Sequence, residues 1–201
     1  MIRVLLAEDQ GTVRDALATL LSLQPDLDVV ATVGRGDEVV GAAMVAAPDV
    51  AVLDIEMPGM DGLDAAALLR DRLPSCKVLI LTTFGRPGFL RRAMASGAVG
   101  FLVKEAPAAQ LAIAIRRAMA GERIVDPTLA AAALSEGDSP LTEREHDILA
   151  ATALGQSIAA IAASLYLSEG TVRNYLSEAI QKLGARNRVE AARIAEGRGW
   201  L

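Results

Sequence analysis

A chain of 201 residues is long enough for one large core or two small ones, and its formal charge of -5 excludes nucleic-acid binding through bulk positive charge. No apolar run reaches the roughly 18 uncharged residues of a membrane span, and the first run turns acidic at Glu8 too early for a signal-peptide core, so no membrane insertion and a cytoplasmic location are expected. The single cysteine, Cys76, excludes an intrachain disulfide or a cysteine metal cluster and is expected to be a buried thiol.

The first 120 residues alternate short β-rich runs with helical stretches. Ile2 to Ala7 reads as a strand and Val13 to Leu23 as a helix; Asp28 to Val33 is a second strand, and the helix from Gly36 to Ala46 is ended by Pro48. Val50 to Leu53 is short and wholly apolar, as a parallel strand buried on both faces requires. Leu63 to Leu73 is helical with Pro74 beyond its end, Val78 to Leu81 is the fourth strand, and Pro87 sits near the start of the next helix. Val99 to Val103 is the fifth strand, and Pro107 opens a helix that runs to Met119. Five βα units over 1–120 predict an α/β domain, a five-stranded, doubly wound parallel sheet of the flavodoxin-like kind.

Gly121 to Pro140, with Pro127, Gly137, Asp138 and Ser139, reads as a linker that holds a short helix at 128–134. Over 141–201 no strand alternation returns, and the pattern predicts an all-α domain with helices near 143–153, 158–165, 169–183 and 187–197. Thr142 with Glu145 makes a capping box, and Asn187 with Glu190 repeats the pattern. Basic and acidic residues number 12 and 14 over 1–120, 1 and 4 over 121–140, and 7 and 7 over 141–201. Any positive surface in the last segment is therefore local, and a monomer should bind DNA weakly.

Glu8 and Asp9 fall at the C-terminal end of the first strand and Asp54 at the end of the third, where ligands collect in open α/β sheets. A lone strand-end Asp is commonly a turn or a helix cap. Converging carboxylates instead repel one another, and Mg²⁺ is the natural remedy because it takes oxygen ligands and can bridge to a phosphoryl group. Lys104 at the end of the fifth strand adds a fixed positive charge, and Thr82 at the end of the fourth adds a hydroxyl donor. This combination makes a phosphoryl-binding site.

Glu8-Asp9, the run Asp54-Ile55-Glu56-Met57-Pro58-Gly59-Met60-Asp61-Gly62, Thr82-Thr83 and Lys104 resemble the receiver domain of bacterial two-component response regulators over residues 1–120. The resemblance implies that Asp54 is the phosphoacceptor, charged by a sensor histidine kinase. It also implies that Glu8, Asp9, Asp54 and the Glu56 backbone carbonyl surround Mg²⁺. Lys104 and Thr82 would contact the phosphoryl group. Phe101 would match an aromatic that turns inward on activation, with plain strand packing as its alternative. Receivers commonly carry proline after the lysine, where this chain has Glu105; a cis bond there would cost about 2.5–4 kcal/mol.

In the last segment, two short helices over Ile158–Tyr175 can share one small core through Ile161, Ala162, Leu165, Leu167 and Val172. Ser168 caps the second helix, which carries Thr171, Arg173, Asn174 and Lys182. That arrangement fits a helix-turn-helix whose second helix enters the major groove, with a bundle for dimerisation or partner binding as the lesser alternative. Leu141-Thr142-Glu143-Arg144-Glu145, Ile161-Ala162, the run Leu167 to Tyr175, and Lys182-Leu183-Gly184-Ala185-Arg186-Asn187-Arg188 resemble the LuxR-type output domain of the NarL/FixJ group over 141–195. The resemblance implies that Arg173 and Lys182 meet phosphates, that Ser168, Thr171, Arg173 and Asn174 lie at the groove, and that the last helix gives a dimer contact. Runs around Glu8, Asp54 and Thr82 narrow the resemblance toward regulators paired with a membrane thermosensor of lipid desaturation.

The function so implied is a phosphorylation-activated transcriptional regulator that binds double-stranded DNA as a homodimer. A signalling adaptor whose helical domain binds protein, and a receiver that works without phosphorylation, are the alternatives. Beyond the receiver site no catalytic constellation is present in the sequence, so the chain is expected to be a self-modifying phosphoacceptor and not an enzyme.

Overall fold

The computed structural model describes the chain apart from residues 84–86, 105–107, 128–129 and 132–138. It divides into two compact units, one of Met1–Gly85 and Leu90–Ala130, the other of Ala131–Leu201 with Arg86–Phe89. The Lys104–Glu105 junction and most of the helix expected at 128–134 lie outside the described residues. Among the described residues, no helix is long and apolar enough to cross a membrane.

Up to Met119 the elements run β1 (Ile2–Ala7), α1 (Gly11–Ser22), β2 (Leu27–Val33), α2 (Gly36–Ala46), β3 (Val50–Asp54), α3 (Gly62–Arg72), β4 (Lys77–Thr82), α4 (Pro87–Ala95), β5 (Gly100–Val103) and α5 (Ala108–Met119). All strand pairs are parallel in the order β2-β1-β3-β4-β5. The chain leaves β1 toward one edge and β3 toward the other, so the topological switch point lies between β1 and β3. Every residue of β3 is buried. Val4, Leu6, Val52 and Leu79 pack with Leu21, Leu111 and Ile115 on one side, while the alternate residues Leu5, Ala51, Leu53 and Ile80 are equally buried. A sheet covered on both faces requires this, and each fully buried Leu or Ile contributes about 1.5–3 kcal/mol.

Helix α1 begins at Gly11, two residues before the sequence suggests. Its N-cap, Gln10, makes no side-chain capping bond, so no capping signal marks the boundary. Asp61, in contrast, accepts a hydrogen bond from the Asp64 amide and fixes the start of α3. Cys76 is buried as expected, and burial pushes its thiol up to about 11. Iodoacetamide at about pH 8 should leave the folded chain unmodified and alkylate the denatured chain fully, because the thiolate is the reactive form. Rapid alkylation of the folded chain, followed by intact mass, would contradict this placement.

The second unit contains α6 (Glu143–Ala153), α7 (Ile158–Ser164), α8 (Glu169–Leu183) and α9 (Arg188–Gly197). Ile148, Leu149, Ile161, Val172, Leu176 and Ala195 form its core. Ile161, Ala162 and Val172 are buried there as expected, and Leu165 and Leu167 pack against them partly exposed. The core also takes in Trp200, with the Arg198 guanidinium 4.9 Å from its ring centroid. The Thr142–Glu145 capping box is complete. The second box is only half formed. Asn187 accepts from the Glu190 amide, but the Glu190 carboxylate turns to the Arg186 amide and guanidinium at 2.7–3.2 Å. The fork of charged donors one residue ahead outcompetes a single backbone amide and holds the Glu190 carboxyl at about 2.

Candidate functional site

Ala7 pairs with Leu53, so the residue after β1, Glu8, lies level with Asp54 at the C-terminal end of β3. Asp54 in turn pairs with Leu81, one residue before Thr82, and Thr82 pairs with Val103, one residue before Lys104. The sheet register therefore gathers four strand ends. Glu8 is 1% exposed, Asp54 and Thr82 are 3% exposed, and Asp9 is open to solvent. Glu8, Asp9 and Asp54 each offer one carboxylate oxygen, all within 4.8 Å of one another.

Lys104 Nζ lies 2.9 Å from Asp54 Oδ2 and 2.7 Å from Glu8 Oε2. Its amide donates to the Thr82 carbonyl at 2.7 Å, which seats the side chain over the crevice. Burial pushes the Asp54 carboxyl above its ordinary range, against the opposing hydrogen bond and charge of Lys104. Glu8 is raised for the same first reason, with Asp54 adding repulsion. Burial alone would lower the Lys104 ammonium, but Glu8 and Asp54 outweigh it and hold the group above the usual lysine range. One ammonium thus faces three carboxylates, and Glu8 Oε2 has no hydrogen bond among the described residues beyond that ion pair. An all-oxygen set with excess negative charge fits a hard divalent cation.

The structure brings Glu8, Asp9, Asp54, Thr82 and Lys104 together as the sequence suggests. Glu56 is exposed in the loop after β3, and Phe101 is buried in β5 opposite Ile80. Two supports of the pocket carry no clear sequence signal. Arg14 of α1 donates to the Glu8 carbonyl at 2.7 Å, and Arg92 of α4 reaches the α3 cap Asp61 at 3.3 Å. Gly62 is a third support. A Cβ added there would stand 1.9 Å from the Asp54 carbonyl oxygen, so only glycine permits this approach of α3 to β3.

In the second unit, Ser168 caps α8 by accepting from the Thr171 amide at 3.0 Å, and the two hydroxyls share a 2.8 Å bond. Asn174 is exposed. Arg173 is also exposed and pairs with Glu169 at 2.7 Å. Lys182 stands about 14 Å farther along the helix axis and donates to the buried Glu145 at 2.7 Å. Burial alone would raise the Glu145 carboxyl, but Lys182 and Thr142 outweigh it and leave it below the ordinary range. Ser168, Thr171, Arg173 and Asn174 therefore occupy the first turns of α8, while Lys182 is tied to α6.

The family profile for the response regulator receiver domain matches residues 4–116, and that for bacterial regulatory proteins of the luxR family matches residues 139–195. The chain is 46% identical over 201 residues to the uncharacterized transcriptional regulatory protein YvfU and 44% identical to the transcriptional regulatory protein DesR, both of Bacillus subtilis (strain 168), covering 100% of each chain. It is also similar to the crystal structure of response regulator ChrA of a heme-sensing two-component system, with 34% identity, a TM-score of 0.57 and coverage of 100% of this chain and 98% of that one.

Proposed function

The chain belongs to the two-component response regulators with a receiver domain and a LuxR-type DNA-binding domain, and on that premise we propose how it works. Asp54 accepts a phosphoryl group from a sensor histidine kinase, and the modified chain binds double-stranded DNA as a homodimer to regulate transcription. The observation that carries this reading is the single ammonium of Lys104 shared by Asp54 and Glu8 in a crevice of three carboxylates.

An Asp54 carboxylate oxygen attacks phosphorus, the bond from phosphorus to the donor breaks, and the donor leaves with that electron pair. Lys104 is placed to meet the negative charge spread over the phosphoryl oxygens. Glu8, Asp9, Asp54 and the Glu56 backbone carbonyl would hold Mg²⁺, which neutralises charge on the same oxygens when bound. The product carries more charge and more acceptors than a carboxylate, and the Thr82 hydroxyl at the neighbouring strand end supplies a donor for it. Phe101 lies on the strand that leads to Lys104, so a shift of Thr82 and Lys104 reaches β5 directly. The chain modifies itself and has no separate catalytic activity. A cytoplasmic place beside a kinase and DNA accords with this role.

In the output domain, α8 enters the major groove. Thr171 and Asn174 face bases, and Ser168, Arg173 and Lys182 stand toward phosphates. Because Arg173 and Lys182 are each paired with a carboxylate, a monomer binds weakly and dimerisation is needed to reach useful affinity. The test is fluorescence anisotropy of a labelled duplex with the full chain, with and without acetyl phosphate and Mg²⁺. Treatment should tighten binding by about tenfold, within the range of ordinary site-to-site coupling, and added salt should weaken it. Absence of any salt-sensitive duplex binding by the treated chain would replace this reading with a signalling adaptor.

A further inference from the structure

The four described helices of the output unit share one kind of C-terminus, in which the C-cap residue or the one after it takes left-handed backbone and the amides there close back on the helix. Helices α6, α8 and α9 use Gly155, Gly184 and Gly199 there, at φ of 76°, 63° and 63°. Helix α7 uses Tyr166 at φ 55°, its amide 3.5 Å from the Ala163 carbonyl and the Leu167 amide 2.9 Å from the Ala162 carbonyl. A bulky residue is disfavoured in this conformation, and glycine avoids the penalty at the three sister positions.

The side chain gains nothing from the fold in return. It is 96% exposed, more than any other large hydrophobic residue described, and its hydroxyl makes no hydrogen bond among the described residues. Two unfavourable choices thus fall on one residue, two positions before the Ser168 cap of α8. In a helix-turn-helix the first helix crosses the DNA backbone and the start of the second enters the groove, so the turn between them faces the sugar–phosphate edge.

That edge needs a hydrogen-bond donor, and the sequence has no Lys or Arg between Arg144 and Arg173. The Ser168 and Thr171 hydroxyls share one bond and Ser168 also accepts from the Thr171 amide, so between them they have one proton left to donate. We infer that Tyr166 is a DNA-backbone contact, its hydroxyl donating to a phosphate oxygen and its ring lying on the adjoining deoxyribose. The inference rests on the DNA-binding reading above. It makes Tyr166 a neutral substitute for the basic side chains missing from this turn.

The full chain, treated with acetyl phosphate and Mg²⁺, is titrated against a labelled mixed-sequence duplex of about three helical turns, since backbone contacts do not need a particular sequence. Tyr166→Gly should melt at or above the parent temperature yet bind about three- to tenfold more weakly, the equivalent of one lost hydrogen bond. Tyr166→Asn, which also suits left-handed backbone, should behave alike. Tyr166→Phe should keep the ring contact and lose only part of the affinity. Parent-like binding by Tyr166→Gly, alongside weakened Arg173→Ala, overturns the contact. So does a loss of affinity matched by a loss of thermal stability in both the Gly and Asn variants. If the parent binds no duplex at all, the DNA-binding reading fails, and the contact with it.

Discussion

An Asp54→Asn chain incubated with acetyl phosphate and Mg²⁺ should take up no phosphoryl group, whereas the parent should gain the corresponding mass increment. The amide keeps the shape of the acceptor but lacks the anionic oxygen that attacks phosphorus. Loss of labelling through unfolding is separable from this, and the direction of the Asp54 shift shows how. Burial holds its carboxyl above the ordinary range. The unfolded chain therefore gives up this proton at lower pH than the folded chain does. As pH rises from the unfolded value through the folded one, the group's contribution to stability falls. At neutral pH the ionised Asp54 weakens the fold, and Asp54→Asn should melt at or above the parent temperature. Calorimetry and intact mass on one sample give both results. A labelled Asn variant would move the acceptor elsewhere, and a strongly destabilised one would show that the Lys104 pair supports the fold more than burial weakens it.

The second large effect falls on the output unit. Lys182→Met should destabilise it by about 2 kcal/mol, lowering its melting temperature by roughly 10 °C. The Glu145 side chain is fully buried, and its Oε2 accepts from both Lys182 Nζ and the Thr142 amide at 2.7 Å. Removing the ammonium leaves that charge buried without its main partner. Breaking a wholly buried pair costs about 3–5 kcal/mol; the figure here is smaller because the Lys182 side chain is 36% exposed and water can compensate in part. Since Lys182 and Thr142 hold the Glu145 carboxyl low, the stabilisation is complete above the ordinary carboxylate range and fades as pH falls through the folded value. Thermal melts from neutral to acidic pH should therefore bring parent and variant together. If Lys182 served DNA alone, the melting temperature would not move and only duplex affinity would fall.

Much of the receiver fold was legible because its strands are short and apolar. Val50 to Leu53 can be little other than a strand covered on both faces, and the strand ends then place Glu8, Asp54, Thr82 and Lys104 without further information. What escaped depends on contacts distant in sequence or on missing signals. Gln10 makes no capping bond, so the first turn of α1 was invisible. Glu145 reads locally as half of a capping box, which it is, but its tie to Lys182, 37 residues away, exists only once α6 and α8 pack. Trp200 stands beyond the last helical period and offers no pattern to mark it as core. Asn187 and Glu190 show the reverse case, where a local rule held for the cap and failed for the carboxylate because Arg186 is the stronger donor.

Gly62 rests its backbone against the Asp54 carbonyl, and Lys104 grips the same residue by its side chain. In its proposed role as nucleophile, a residue held at both ends is already aimed before a donor protein arrives. The kinase then contributes choice more than alignment, deciding which chain is marked and when. On that role, a small phosphodonor such as acetyl phosphate should label the chain without the kinase, at a rate that rises with its concentration.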